Sequence, residues 1–147
     1  MPEGLPAPLT IRIPTDLAFV RPVRKMIEGL LAAQSWGEDD VADAGLVATE
    51  VVQNAVEHGS RNDGTETVEI SCALTAGAVV IDVVDPGTGK GPEALLARDV
   101  TAPPPADSPR GRGLYLIHRM VREFDRRLDP RGGSFIRVRL GAGMPVP

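Results

Sequence analysis

Length, composition and charge point to one domain, residues 1–147, and exclude several classes of protein. The chain is 42% hydrophobic, enough to close a core, and its 16 basic and 20 acidic side chains give a net charge of -4, which argues against direct nucleic-acid binding. One cysteine excludes an internal disulfide, and the lack of a signal pattern or a run of about 18 apolar residues predicts a cytoplasmic protein without a membrane span.

The chain begins with a predicted strand and a first helix. Apolar and polar residues alternate over residues 9–13, which predicts a short strand that ends at Pro14. Thr15 and Asp16 can then cap a helix whose apolar residues recur at helical spacing. Pro22 lies inside this pattern, so either the regular helix starts near it or the helix kinks there.

A second helix carries the first candidate site. Three acids at residues 38–40 favour its N-terminus, where the helix dipole attracts negative charge, and Gly59 is a natural C-terminal stop after His58. Glu50 and Asn54, four residues apart, project side by side from the polar face. A carboxylate beside a carboxamide can accept a proton and ligate a hard cation, as phosphoryl transfer requires, although a solvated helix face explains the same pattern.

A predicted hairpin leads to the second candidate site. An alternating stretch at residues 68–74 and an almost unbroken apolar run at residues 79–84 flank a tight turn, and the second stretch ends in D-P-G-T-G, which starts at Asp85. Asp85 fits an ordinary Asp-Pro-Gly turn. Alternatively, its carboxylate points into a cavity and accepts a hydrogen bond from an exocyclic amine, while Gly87 and Gly89 let the backbone pass close to the ligand.

The remainder of the chain contains a long loop, a helix and two strands. Residues 90–112 are rich in Pro, Gly, Asp and Arg, with one potential helical turn at residues 93–98, and a loop this long is commonly a functional lid. The sequence G-R-G-L then opens a helix, whose free backbone N–H groups can bind phosphate. Apolar spacing predicts that this helix runs to Phe124, followed by strands near residues 126–128 and 135–140.

The order of these motifs resembles the GHKL ATPase superfamily. An E-x-x-x-N-A-x-x-H-G helix, a hairpin ending D-x-G-x-G, a long loop, G-x-G-L at a helix start and G-S at a final strand follow one another within residues 9–140. The E-V-V-Q-N-A-V-E-H-G form is similar to the anti-sigma-factor serine kinase branch, of the RsbW and SpoIIAB type. We therefore expect an α/β two-layer sandwich, with a mixed but mainly antiparallel sheet of about five strands and helices on one face.

The resemblance implies a role for individual residues. Glu50 would be the general base toward a protein hydroxyl, and Asn54 would ligate Mg²⁺ between the phosphates of ATP. Asp85 would read the adenine amine, with Gly87 and Gly89 shaping that side of the pocket. The remaining ATP-binding positions are Gly111, Arg112, Gly113, Leu114 and Ser134, where Ser134 replaces the usual Thr as a hydroxyl that supports the adenine-binding Asp. His58 matches the last histidine of the helix motif, but capping or packing explains it equally well.

The resemblance also implies partners and leaves two other functions open. The phosphoacceptor would be a serine or threonine of an anti-sigma-factor antagonist, the second partner a sigma factor, and the kinase a cytoplasmic bacterial homodimer. One alternative is a non-catalytic module in which ATP or ADP only controls binding to a protein partner, and Glu50 argues against it. The other is a histidine kinase domain, although only about eight residues precede the first predicted strand, so we expect no phosphoacceptor helix pair there.

Overall fold

The computed structural model describes residues 7–75, 77–89, 112–130 and 132–141. Most of the predicted long loop, its potential helical turn and Gly111 lie outside this part of the chain, as do the side chains of Arg112 and Leu114. The elements in chain order are strand β1 (Leu9–Pro14), a 3-10 turn (Leu17–Phe19), helix α1 (Val20–Ala33), helix α2 (Glu38–Glu57), strands β2 (Thr67–Thr75) and β3 (Ala78–Val84), helix α3 (Arg112–Met120), and strands β4 (Glu123–Leu128) and β5 (Ser134–Gly141).

The five strands form one sheet in the order β1-β2-β3-β5-β4, and every pairing among the described residues is antiparallel. This confirms the prediction of a mainly antiparallel five-stranded sheet. Strand β3 is central, with β2 on one side and β5 on the other. Because Val84 pairs with Phe135, the end of β3 lies beside the start of β5. This register brings Asp85 next to Ser134.

One face of the sheet is buried beneath the helices. Alternate residues of β2, β3 and β5 share a single core with residues of α1, α2 and α3, which confirms the two-layer arrangement. Cys72 belongs to this core, and burial raises the pKa of its thiol to about 11, so it acts as a small apolar side chain. Within the part of the chain that is described, none of the helices has the length and apolar character needed to cross a bilayer.

Helix α2 divides its surface between the core and the polar side. Its acids at residues 38–40 occupy the first turn, as the helix dipole favours. Apolar residues at helical spacing face the sheet, and Glu50 and Asn54 lie half-buried on the other side, as predicted. The buried residues of α2 are Ala44, Gly45, Val47, Ala48, Val51, Val52, Ala55 and Val56.

The start of α1 resolves the alternatives for Pro22. The regular helix starts at Val20, so the proline is its third residue, where no intrahelical N–H partner is required. Asp16 caps the preceding 3-10 turn, since its Oδ1 accepts a hydrogen bond from the backbone N of Ala18 at 2.9 Å. Thr15 does not cap the helix and is instead completely buried, against the chain just before β2.

The prediction that the last helix continues to Phe124 is wrong. Helix α3 ends at Met120, and the chain joins the sheet as β4. The backbone N of Arg122 donates to the carbonyl O of Arg139 at 2.9 Å, and Phe124 pairs with Val138. Phe124 packs against the core from its position in β4. Its apolar character fits a helix face as well as a strand, and pairing with β5 decided the outcome.

The two faces of β3 provide a stability test. Replacing Val79 by alanine should lower the free energy of unfolding by about 1.5–3 kcal/mol, because a fully buried side chain is removed from the core. The same change at Val80, half-buried on the opposite face, should lower it by less than about 1 kcal/mol. Urea unfolding followed by circular dichroism measures both values, and equal losses would contradict the assignment of faces.

Candidate functional site

Asp85 is a buried carboxylate at the end of the central strand. Its side chain is 6% exposed and lies on the core side of the sheet, like Val83 two residues earlier. Its Oδ1 accepts hydrogen bonds from the backbone N of Gly87 at 2.8 Å and of Ser134 at 3.2 Å. Its Oδ2 accepts the hydroxyl of Ser134. Two residues that the family resemblance implies, 49 positions apart, are therefore in direct contact.

The carboxylate of Asp85 retains the capacity to bind one more donor. Each carboxylate oxygen can accept about two hydrogen bonds. Among the described residues, Oδ1 receives two donors but Oδ2 receives only the hydroxyl of Ser134. Burial raises the pKa of Asp85, and the negative charge of Asp129 raises it further, while the hydrogen bonds from Ser134 and Gly87 act in the opposite direction. A ligand amine at Oδ2 would supply the missing donor.

Glycines surround Asp85 because the chain passes too close for side chains. A Cβ atom at Gly59 would lie 2.2 Å from Cγ of Asp85, and one at Gly133 would lie 1.7 Å from its backbone O. Gly87 has a φ of 73°, and a Cβ there would lie 2.7 Å from the carbonyl O of Gly132. These contacts bring the end of α2, the loop after β3 and the start of β5 together around Asp85.

Two of these glycines were not among the predicted site residues. Gly59 follows α2 as predicted, but it is not one of the glycines with positive φ, so close contact with Asp85 explains it better than helix termination. Gly133 was visible only as part of the G-S pair at the last strand. The spacing of motifs draws attention to Gly59 and Gly133, but only their close contact with Asp85 shows why a side chain would not fit there.

Glu50 and Asn54 lie together on the polar side of α2. The Nδ2 of Asn54 donates to the backbone carbonyl of Glu50 at 2.8 Å. In this orientation of the amide, its Oδ1 is the atom that remains for a ligand. The carboxamide is thus held by its own helix with an oxygen available, which suits a hard cation.

The environment of Glu50 suits a general base. Its side chain is half-buried, and burial raises the pKa of its carboxyl. The negative charge of Glu57, on the same side of α2, raises this pKa further. A carboxylate whose pKa is closer to the working pH is a better proton acceptor than an exposed one.

The residues that are present fit a magnesium nucleotide better than a metal ion alone. Among the described residues, no group of three or more His, Cys, Asp and Glu side chains is arranged to hold a metal. Mg²⁺ is commonly held by one or two protein oxygens together with phosphates and water. Asn54 supplies such an oxygen, and helix α3, which contacts α2, supplies backbone at its start, the position of the G-x-G-L motif.

A cavity of about 530 Å³ lies on the face of the sheet opposite the helices. Asp85, Glu50 and Asn54 do not line it, although Asp129, which acts on the pKa of Asp85, does. Ion pairs cover this face, such as that between Nε of Arg137 and Oδ1 of Asp82 at 2.7 Å. Its lining residues are Glu69, Ser71, Asp82, Val84, Arg127, Leu128, Asp129, Pro130 and Phe135.

Comparison with solved structures supports the same fold. The RsbU and RsbW domains of a Mycobacterium tuberculosis protein match with a TM-score of 0.63 and 23% identity, over 95% of this chain and 33% of that one. A chain of the SiaB-SiaC complex from Pseudomonas aeruginosa matches with a TM-score of 0.66 and 17% identity, over 94% of this chain and 89% of that one. This chain thus spans about a third of the length of the first relative.

Comparison with family models identifies the domain. The model described as "Histidine kinase-like ATPase domain" matches residues 13–140, from the end of β1 to the end of β5. The matched segment contains Glu50, Asn54, Asp85 and Ser134. This chain therefore belongs to the family of histidine kinase-like ATPase domains, and its domain is of an ATP-binding type.

Proposed function

We propose that this protein is an ATP-dependent serine/threonine protein kinase that acts as an anti-sigma factor. It would phosphorylate an anti-sigma-factor antagonist and sequester a sigma factor in the cytoplasm. The observation that carries the kinase activity is Glu50, a half-buried carboxylate with a raised pKa, beside the available oxygen of Asn54. A module that only binds nucleotide has no need of a base at this position.

The adenine end of ATP is assigned to Asp85. The amine of adenine would donate to Oδ2, the oxygen with acceptor capacity left among the described residues. The hydroxyl of Ser134 holds this carboxylate from the other side, and Gly87 fixes Oδ1. Because buried polar groups discriminate strongly against ligands that leave them unpaired, this arrangement favours adenine over a base that lacks a donor at the same position.

The phosphate end is assigned to α2 and the start of α3. Asn54 would hold Mg²⁺ through Oδ1, and Mg²⁺, when bound, neutralises charge on the phosphates. Backbone N–H groups at Gly111 and Gly113 would contact phosphate oxygens, with Arg112 and Leu114 in the same motif. These positions at the helix start are assigned by sequence, since Gly111 lies outside the described residues.

Glu50 would act on the acceptor hydroxyl. The hydroxyl oxygen of a partner serine or threonine bonds to the γ-phosphorus, and the bond from that phosphorus to the β,γ-bridging oxygen breaks, which leaves ADP. The hydroxyl proton passes to the carboxylate of Glu50. Positioning and electrostatics contribute most to phosphoryl transfer, so a base held on a rigid helix is a sufficient proton acceptor.

The proposed partners follow from the resemblance and the similar structures. One of those structures contains an RsbW domain and the other is a chain of a two-protein complex. At 23% and 17% identity, these structures support the fold alone. The proposal of an antagonist, a sigma factor and a homodimer rests on the E-V-V-Q-N-A-V-E-H-G motif. The net charge of -4 agrees with protein rather than nucleic-acid partners.

Asp85→Asn should weaken ATP binding by at least about tenfold. The NH₂ group of asparagine would replace Oδ2, and it cannot accept a hydrogen bond from the hydroxyl of Ser134 or from the adenine amine. Calorimetric titration with ATP and Mg²⁺ measures the Kd. The matched control is Asp82→Asn on the same strand, whose carboxylate pairs with Arg137 on the opposite face. Equal Kd values for Asp85→Asn and the wild type would exclude the proposed adenine contact.

Asn54→Ala should remove the dependence of ATP affinity on Mg²⁺, since the protein oxygen proposed as ligand is lost. Titrations with and without Mg²⁺ give the ratio of the two Kd values for each variant. Gln53→Ala is the control, because its amide bonds to Glu57 and not to the proposed cation position. A ratio unchanged from the wild type in Asn54→Ala would refute the metal role.

Glu50→Gln should retain ATP binding and lose phosphotransfer by about 10²–10⁴-fold, the usual contribution of a general base. Transfer of labelled phosphate from ATP to purified candidate antagonists measures the rate, and each antagonist with its acceptor serine changed to alanine is the blank.

In the wild type, the rate of transfer should fall as pH decreases through the raised pKa of Glu50, because the protonated carboxyl cannot accept a proton.

Glu57→Gln provides the matched test of that pH dependence. It removes the second cause of the raised pKa, so the acid limb of the rate should move to lower pH while transfer is retained. Full transfer by Glu50→Gln would remove Glu50 as the base, and an acid limb unaffected by Glu57→Gln would refute the effect of Glu57 on the pKa of Glu50.

A further inference from the structure

The loop after β3 has a second attachment, at some distance from the carboxylate of Asp85. The hydroxyl of Thr88 donates to the side chain of Glu66, at 2.7 Å from Oε1 and 2.6 Å from Oε2. Glu66 immediately precedes β2, 22 positions earlier in the chain. Sequence motifs did not single out either residue, because Thr88 occupies a variable position of the D-x-G-x-G pattern.

Glu66 is held in place by contacts that do not involve the loop after β3. Its backbone N donates to Oγ1 of Thr15 at 3.3 Å, and its carbonyl accepts from the backbone N of Thr15 at 3.0 Å. Thr15 is completely buried, which fixes this part of the chain to the core. The Oε1 of Glu66 also accepts the backbone N of Arg61 at 3.2 Å. Thr15 therefore holds the backbone of Glu66, and the backbone N of Arg61 orients its carboxylate, which presents a fixed acceptor to Thr88.

The inner part of the same loop is attached to the end of α2. The backbone N of Gly87 donates to the carbonyl O of Gly59 at 2.9 Å, in addition to its bond to Asp85. Gly89 lies so close to the carbonyl of His58 that a Cβ would be 2.1 Å from it. Thr88 lies between these two contacts with an exposed side chain, and Glu66 receives its hydroxyl.

We propose that Glu66 is a positioning residue for nucleotide binding, which it serves by accepting the hydroxyl of Thr88 and holding the Asp85 loop in its binding conformation. This inference rests on the proposed ATP site. A loop that is already ordered does not have to be ordered by the ligand, and preorganisation of this kind raises affinity without any new ligand contact. This hydrogen bond between Thr88 and Glu66, called the anchor below, also fixes the position at which the chain leaves the site, at Gly89, toward the segment that the sequence predicts to be a lid.

The test compares nucleotide affinity in Thr88→Val, Glu66→Ala and the double variant, using titration with ATP and Mg²⁺. Each single change should raise the Kd by about three- to tenfold, as expected for one hydrogen bond to a charged group at a solvent-exposed site. The double variant should bind no more weakly than Glu66→Ala, because Glu66→Ala already removes the contact with Thr88. Thr88→Ser keeps the hydroxyl and should bind like the wild type.

Thr65→Val is the matched control. Its hydroxyl also donates to a carboxylate, Oδ1 of Asp63 at 2.6 Å, but within the turn before β2 and not to the loop. Its Kd should equal that of the wild type. A Kd of Thr88→Val equal to that of the wild type, or independent losses that add in the double variant, would overturn the role of Glu66.

Hydrogen exchange in the nucleotide-free protein tests the anchor independently of ATP binding. The amides of Asp85, Gly87, Thr88 and Gly89 should exchange faster in Thr88→Val and Glu66→Ala than in the wild type or Thr65→Val, at an unchanged melting temperature. Unchanged exchange would overturn the anchor. Absence of ATP binding by the wild type would overturn the proposed function, whereas equal binding by the wild type and Thr88→Val would overturn only the role of Glu66.

Discussion

The burial of the Asp85 carboxylate is the constraint on which the rest of the site depends. A buried charge is unfavourable unless hydrogen bonds compensate for its lost hydration, and here the donors come from Gly87 and Ser134. Both must approach closely, which requires glycine at Gly59 and Gly133 where any side chain would collide with Asp85. Three separate parts of the chain therefore meet at Asp85, and burial raises the pKa of its carboxyl.

Helix α2 connects this carboxylate to the proposed chemistry. Its apolar face anchors it to the sheet, so its polar face is held rigidly, and Glu50 and Asn54 have fixed relative positions. The C-terminal end of the same helix reaches Asp85 through Gly59. One rigid element thus sets the distance between the end of the pocket assigned to adenine and the end assigned to phosphate. Glu57, on the same side, adjusts the proton affinity of Glu50.

The open face of the sheet contributes stability without entering the site. Opposite charges alternate across neighbouring strands, as with Asp82 and Arg137, and Arg127 and Arg137 also lie over the ring of Phe135. This polar covering agrees with a two-layer fold in which the described helices pack on the other side of the sheet.

The sequence by itself determined what depends on near neighbours along the chain. It predicted α2, the placement of Glu50 beside Asn54, the hairpin, and Asp85 at a strand end, because helix and strand periodicity are local properties. Only the tertiary structure decided what depends on distant segments. The contact of Asp85 with Ser134, the reason for Gly59, the attachment of Thr88 to Glu66 and the early end of α3 all arise from strand pairing and close packing, which bring together residues that no local pattern relates.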